Sequence, residues 1–253
     1  MRIDEKMAEF VSRVTEGKKV AVCLSGGLDS TTVLYEVSKS EMYIGLTAYT
    51  VQFGTSSDDG RAKEIADYYE VEHKYIPFEN LWDWMVKVNA FMPKPHYNVW
   101  PAAICSKAKE DGCDIILTGE GADEIFGYPD RGYFEGWASQ IGWINPVWEV
   151  SADLVDIDYY APWYEIVRYK SPECFLQFNQ PPFKNILRDC YVGRIPKQFL
   201  RLTAKPPAFT QYNELLGKHF GLPSSCDPRI AMRHYANLAW SKAHGLKNQE
   251  PHS

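Results

Sequence analysis

The sequence is poor in the features that would assign it to a membrane, a zinc cage or a nucleic acid. Its 6 cysteines, Cys23, Cys105, Cys113, Cys174, Cys190 and Cys226, include no CxxC pair, and its 6 histidines are equally dispersed. No ligand pair therefore has the spacing of a zinc site, and reduced, packed thiols are expected. Basic residues are outnumbered, 27 Lys and Arg against 33 Asp and Glu, for a net charge of −6. That balance provides no electrostatic footprint for nucleic acid. No stretch approaches the roughly 20 apolar residues of a membrane span. The opening residues Met1-Arg2-Ile3-Asp4-Glu5-Lys6 lack the apolar run of a signal peptide. There is no internal repeat. What these absences leave is a globular, cytoplasmic protein, large enough at 253 residues to bury a sizeable core.

The most informative stretch is Ser25-Gly26-Gly27-Leu28-Asp29-Ser30. The apolar run Val20 to Leu24 before it reads as a buried strand, and Thr31 to Val37 after it has helical spacing. A glycine turn between strand and helix brings free backbone amides to a ligand and favours anions. Ser25 and Ser30 add hydroxyl donors, which suits phosphate. The lysine that precedes the last Ser/Thr of the common phosphate loop is missing. In its neighbourhood stands a carboxylate, Asp29, and a polyphosphate beside it calls for a divalent cation as mediator. The plain alternative is a Gly-Gly turn with no ligand.

Along the chain, Ile3, Met7, Phe10, Val11 and Val14 mark an amphipathic helix over 3–16. Further strands are expected at 42–51, 73–78 and 113–118, with helices in the 60s, at 79–91 and at 100–111. Strands alternating with helices imply an α/β fold with a doubly wound, mostly parallel sheet. Ligands then bind beyond the carboxyl ends of the strands. The loops after Leu24, Val51 and Thr118 should share one crevice. The segment 151–158 is expected as a loop or helix start. The expected division is a core over 1–128 and a helical, aromatic-rich part over 129–253 that completes the active site.

A second signal follows Thr118. Gly119-Glu120-Gly121-Ala122-Asp123-Glu124-Ile125-Phe126-Gly127 packs three carboxylates and three glycines into nine residues. A solvated acidic helix start would look similar. With Asp29 arriving in the same crevice, oxygen ligands for Mg²⁺ are the better reading.

SGGLDS resembles the signature of the PP-loop ATP pyrophosphatases, which cleave ATP to AMP and pyrophosphate on an adenine nucleotide alpha hydrolase-like fold. Taken with Thr118 to Tyr128, with Val51 to Asp58 and Ala62 to Ala66, and with Phe183-Lys184-Asn185-Ile186-Leu187-Arg188, Ile195-Pro196 and Lys205, it is similar to the synthetase domain of the asparagine synthetases. The resemblance covers most of 18–210 and is loose after 130. It implies ATP contacts from Leu24, Ser25, Gly26, Gly27, Asp29, Ser30, Val51, Thr118 and Gly119, and Mg²⁺ on Asp29 and Asp123. It also implies substrate or amine handling by Glu120 and phosphate neutralisation by Lys205. The activity implied is an AMP-forming ligation: a carboxylate is adenylated, and an amine or ammonia displaces AMP.

The chain departs from that family in places. FGGY is replaced by Phe126-Gly127-Tyr128, PFLD corresponds at best to Pro162-Trp163-Tyr164-Glu165, and Lys205 lies one residue late. Residue 2 is Arg2, where the family's glutaminase begins with cysteine, so this chain is not expected to hydrolyse glutamine; a separate glutaminase subunit is a candidate partner. Twelve aromatics lie within 126–169, suited either to a packed core or to a pocket for a bulky acceptor. Competing readings are a tRNA-modifying enzyme of the same superfamily and a silent nucleotide-binding subunit. The acidic charge and absent CxxC weigh against the first, the intact Asp29, Glu120 and Asp123 against the second.

Overall fold

A computed structural model describes residues 2–53, 60–127, 146–166, 184–201 and 228–246. Lys205, the six residues 54–59 and, of the aromatic stretch 126–169, residues 128–145 and 167–169 lie outside them. Five parallel strands form one sheet in the order β3-β2-β1-β4-β5. They are β1 (Lys19–Cys23), β2 (Gly45–Gln52), β3 (Glu72–Pro77), β4 (Ile115–Leu117) and β5 (Asp158–Tyr160). The central strand β1 is buried on both faces. Val20 and Val22 pack with Met7, Val11, Val33 and Ile65 on one side. Ala21 and Cys23 pack with Tyr49, Met85, Ile104 and Trp148 on the other. This alternation is what a parallel strand covered by helices requires.

The helices α1 (Ile3–Thr15), α2 (Leu28–Ser40), α3 (Gly60–Tyr68), α4 (Leu81–Asn89) and α5 (Pro101–Glu110) fall where the periodicity predicts. One boundary differs: α2 starts at Leu28, so Asp29 sits in its first turn, with Gly27 as the capping residue. Another difference concerns 151–158. A helix, α7 (Pro146–Asp153), ends there and the chain then enters β5, which pairs with β4 through Ile115 and Asp158. Three residues are too few to show strand periodicity, and their pairing is a tertiary event.

Chain order reverses at β1: β2 and β3 lie to one side, β4 and β5 to the other. The crevice at this reversal receives the loops that follow β1 and β4, which are the two glycine-rich motifs. After β4 the chain forms α6 (Ala122–Phe126), and later α8 (Pro162–Glu165), α9 (Asn185–Tyr191) and α10 (Pro228–Ala243). Leu187, Tyr191, Ile195 and Phe199 join the same hydrophobic cluster as α1 and α2. Among the described residues no helix is long and apolar enough to cross a membrane.

Gly119 is where the two motifs touch. A Cβ there would lie 2.7 Å from the Ser30 backbone nitrogen and 2.9 Å from the Asp29 carbonyl carbon. Backbone cannot move aside as a flexible side chain can, so Gly119→Ala should destabilise the fold by about 1–3 kcal/mol. Urea denaturation checks this; an unchanged midpoint would show that the loops are not in contact.

Candidate active site

The turn after β1 is closed on itself before any ligand arrives. The Ser25 amide donates to Ser30 Oγ at 3.1 Å, the two serine hydroxyls are 3.0 Å apart, and Ser30 Oγ donates to the Gly27 carbonyl at 3.2 Å. Gly26 has φ +73, and a Cβ on it would sit 3.1 Å from the Ala62 nitrogen, so both conformation and space call for glycine. Leu24 is tied to β2 from both sides: its amide donates to the Tyr49 carbonyl at 2.8 Å, and its carbonyl accepts from Thr50 Oγ1. His73 Nε2 stands 2.8 Å behind that threonine. Val51, one residue further along β2, is half-buried. Thr118 is buried, its amide donating to the Tyr160 carbonyl at 3.1 Å.

The centre of the site is an ion cluster. Lys184 Nζ lies 2.6 Å from Asp29 Oδ2 and bridges to Asp123 Oδ1, with only 4% of its side chain exposed. Residues from the start of α2, the start of α6 and the entry to α9 thus meet at one ammonium. The Lys184 backbone is left-handed, with φ +60, and its amide donates to the Phe126 carbonyl at 2.9 Å. Burial alone would lower the lysine's pKa, but Asp29 and Asp123 more than reverse this and hold it charged. Asp29 is pushed up to about 6 by burial, with Asp123 raising it further and Lys184 pulling it down.

Two glutamates complete the acidic wall. Glu120 is pushed up to about 7 by burial and by Glu124, Asp123 and Asp29, against a lowering hydrogen bond from Trp148. That bond runs from the indole Nε1 to Glu120 Oε1 at 3.1 Å. Trp148 is buried and stacks on Tyr159, with ring centroids 5.7 Å apart. The Tyr159 hydroxyl is 3.3 Å from Thr118 Oγ1. Glu124 is likewise pushed up to about 7 by burial and Asp123, against lowering hydrogen bonds from its own backbone amide and from the Tyr164 hydroxyl. Tyr164 packs on Gly121, where φ is +92 and a Cβ would lie 2.9 Å from the ring. The described aromatics of α7, β5 and α8 are therefore core and support for the acidic loop.

The donor set fits a divalent cation. Asp29 Oδ1 is buried and has no hydrogen-bond partner, so the carboxylate that reaches Lys184 through Oδ2 keeps a second oxygen without a donor. Two carboxylates suit Mg²⁺, which keeps water and phosphate oxygens in its shell. Among the described residues no group of three or more His, Cys, Asp and Glu converges as a metal cage.

Asp29, Ser30, Glu120, Asp123 and Gly119 come together as the motifs imply. Lys184, Trp148 and Tyr164 were not assigned roles from sequence. Lys184 was visible only as part of the FKNILR resemblance, and nothing in its spacing points across the chain to Asp29. The lysine expected at 205 lies outside the described residues.

With this geometry in view, the comparisons with known proteins fall into place. The asparagine synthase family model matches residues 2–173, and the chain belongs to that family of PP-loop, ATP-using enzymes. A 7-cyano-7-deazaguanine synthase of Oceanobacillus iheyensis is 30% identical over 169 residues, 56% of this chain and 74% of the relative. An asparagine synthetase (glutamine-hydrolyzing) of Methanocaldococcus jannaschii is 28% identical over 123 residues, 46% of this chain but only 23% of the relative. Among solved structures, the NMN synthetase of Francisella tularensis aligns over 99% of this chain and 97% of its own, at 15% identity and a TM-score of 0.39. The NH3-dependent NAD synthetase of Campylobacter jejuni aligns over 99% and 98%, at 16% and 0.39.

The raised Glu120 pKa carries a sign for stability. Its acid form is favoured in the fold, so its contribution is complete below the ordinary 4.5 and is lost as pH rises through about 7. Glu120→Gln should remove that loss, making the variant more stable than the native chain at pH 8 by on the order of 1–3 kcal/mol. Denaturation at pH 5 and pH 8 checks this; equal pH dependence in both proteins would refute it.

Proposed function

We propose that the protein is an AMP-forming amide ligase in which a carboxylate substrate is adenylated by ATP and an amine or ammonia then displaces AMP. The observation that carries this reading is the Lys184 bridge between Asp29 and Asp123, set 2.6 Å from the first and flanked by Glu120. Each element has work to do in such a reaction. The substrate carboxylate attacks the α-phosphorus, the bond to the β-phosphate oxygen breaks, and charge accumulates on pyrophosphate. Lys184 and the amides at the start of α2 are placed to receive that charge. Asp29 and Asp123 would hold Mg²⁺, which when bound supplies further neutralisation of the phosphates. Lys205 is proposed to assist from the segment after 201.

In the second half the amine nitrogen attacks the acyl carbon and must lose a proton. Glu120, poised at about 7 and aimed by the Trp148 indole, is the proton acceptor. AMP then leaves with the electron pair of the acyl–oxygen bond. Glutamine is not proposed as the direct nitrogen source. Ammonia enters free or from a glutaminase partner, and a cytoplasmic setting is part of the proposal, supported by the free thiols of Cys23, Cys105 and Cys113.

A second reading of the acceptor is a flat heteroaromatic compound in place of an aliphatic acid. It is favoured by the 30% identity to a synthase named for 7-cyano-7-deazaguanine. Both readings share the same phosphate chemistry.

The test is product analysis with ATP, MgCl₂, ammonium or glutamine, and a panel holding aspartate and purine-like carboxylates. AMP and pyrophosphate should form in equal amounts with at least one acid, and ADP as the stoichiometric product would sink the proposal. Asp29→Asn and Lys184→Met should each lower turnover by at least about 100-fold, the scale of a lost transition-state charge contact. Near-native rates in either would remove that residue from the mechanism.

A further inference from the structure

The ammonium of Lys184 occupies the point on which the two proposed metal carboxylates converge. It contacts Asp29 Oδ2 at 2.6 Å and Asp123 Oδ1 as well, and it is almost fully enclosed. It is not a side chain lying loosely on the pair. The backbone at Lys184 is held by its amide bond to the Phe126 carbonyl at 2.9 Å, and Arg188 N in turn donates to the Lys184 carbonyl at 2.9 Å. Main chain and side chain are therefore both anchored next to α6.

Among the described residues, the ammonium and the two carboxylates it touches carry a net single negative charge. A dication entering alone must shed part of its hydration shell for that small attraction. It must also sit close to a cation in a poorly screened site, where like charges repel strongly. An ATP triphosphate changes the balance, because its several negative charges can be shared between the ammonium and a dication. Asp29 Oδ1, buried and without a hydrogen-bond partner, is the oxygen left for the metal while Oδ2 stays on the lysine.

We propose that Lys184 sets what this site accepts: it acts as a built-in counter-ion that excludes a free divalent cation and admits the metal only together with nucleotide. The proposal rests on the reading that Asp29 and Asp123 hold the metal. It goes beyond that reading in assigning the order of occupancy to one lysine. It also accounts for how Asp29 and Asp123 can be held on the same point, since the lysine between them supplies the compensating charge.

The test uses Mn²⁺ as an EPR-visible probe on the full chain, with no acceptor substrate present. The native protein should bind Mn²⁺ weakly by itself. With a non-hydrolysable ATP analogue it should bind at least about tenfold more tightly, after correction for metal held by free analogue. Lys184→Met should bind Mn²⁺ without nucleotide at least about tenfold more tightly than the native chain, because a net charge of two is now available. Lys184→Arg should behave as native, and adding Asp123→Asn to Lys184→Met should abolish the increase. Thermal melting gives a second readout: Mn²⁺ should raise the melting temperature of Lys184→Met and leave that of the native protein unchanged.

Equal Mn²⁺ affinity of the native chain with and without the analogue overturns the proposal, and that comparison needs no variant to fold. So does an unchanged affinity in Lys184→Met, or an increase that survives Asp123→Asn. A failure to make AMP from any acid would sink the ligase reading while leaving these titrations interpretable.

Discussion

One buried ammonium holds the site together. Lys184 joins the first turn of α2, the start of α6 and the entry to α9, three pieces of chain that share no secondary structure. Charges enclosed this deeply are tolerated only when paired, and removing one partner leaves the others uncompensated. The remainder of the C-terminal part can be understood as the frame for that contact. Leu187, Tyr191, Ile195 and Phe199 drive α9 and the following turn into the core beside α1 and α2. Arg61 fastens the same turn from the other side, donating to the carbonyls of Gln198, Phe199 and Arg201 at 3.1 to 3.4 Å. Since Arg61 also packs beneath Gly26, the phosphate turn and the C-terminal turn share one support.

The division between what the sequence revealed and what it did not follows the range of the interactions. The turn Ser25 to Ser30, the acidic loop after Thr118 and the alternation of strands with helices are local patterns, and all of them are present in the fold. The start of α2 at Leu28 was harder to read, because Leu28 and Asp29 belong equally to a loop motif and to a helix start. β5 depends on pairing with β4, which no three-residue pattern announces. Lys184 was hidden for a related reason. Its left-handed backbone and its partners are set by α6 and α2, and a lysine before a short helix ordinarily reads as a solvated surface residue.

The aromatic stretch illustrates the same point in another way. Composition left a packed core and an acceptor pocket both open. In the structure Trp148, Trp163 and Tyr164 are buried, yet two of them also hold carboxylates of the acidic loop: Trp148 donates to Glu120 and Tyr164 to Glu124. Filling the core and lining the candidate site are not alternatives for these residues. A tryptophan that fills volume also carries one N–H donor that needs a partner when buried, and here the partner is the carboxylate whose aim matters.

The distance in sequence between the parts of this cluster has a consequence for biosynthesis. Asp29 and Lys184 are 155 residues apart, and all five strands of the sheet precede the lysine. A growing chain that has emerged through α6 carries Asp29, Glu120, Asp123 and Glu124 with no cation among them. At about 5–20 residues per second, the ribosome takes on the order of several seconds more to deliver α9. Through that interval Asp29 and Asp123 wait for the ammonium that bridges them in the finished fold. Completion of this cluster therefore belongs to the docking of α9 and not to the local folding of either glycine-rich loop, a non-local contact that sets a late step in the assembly of the site.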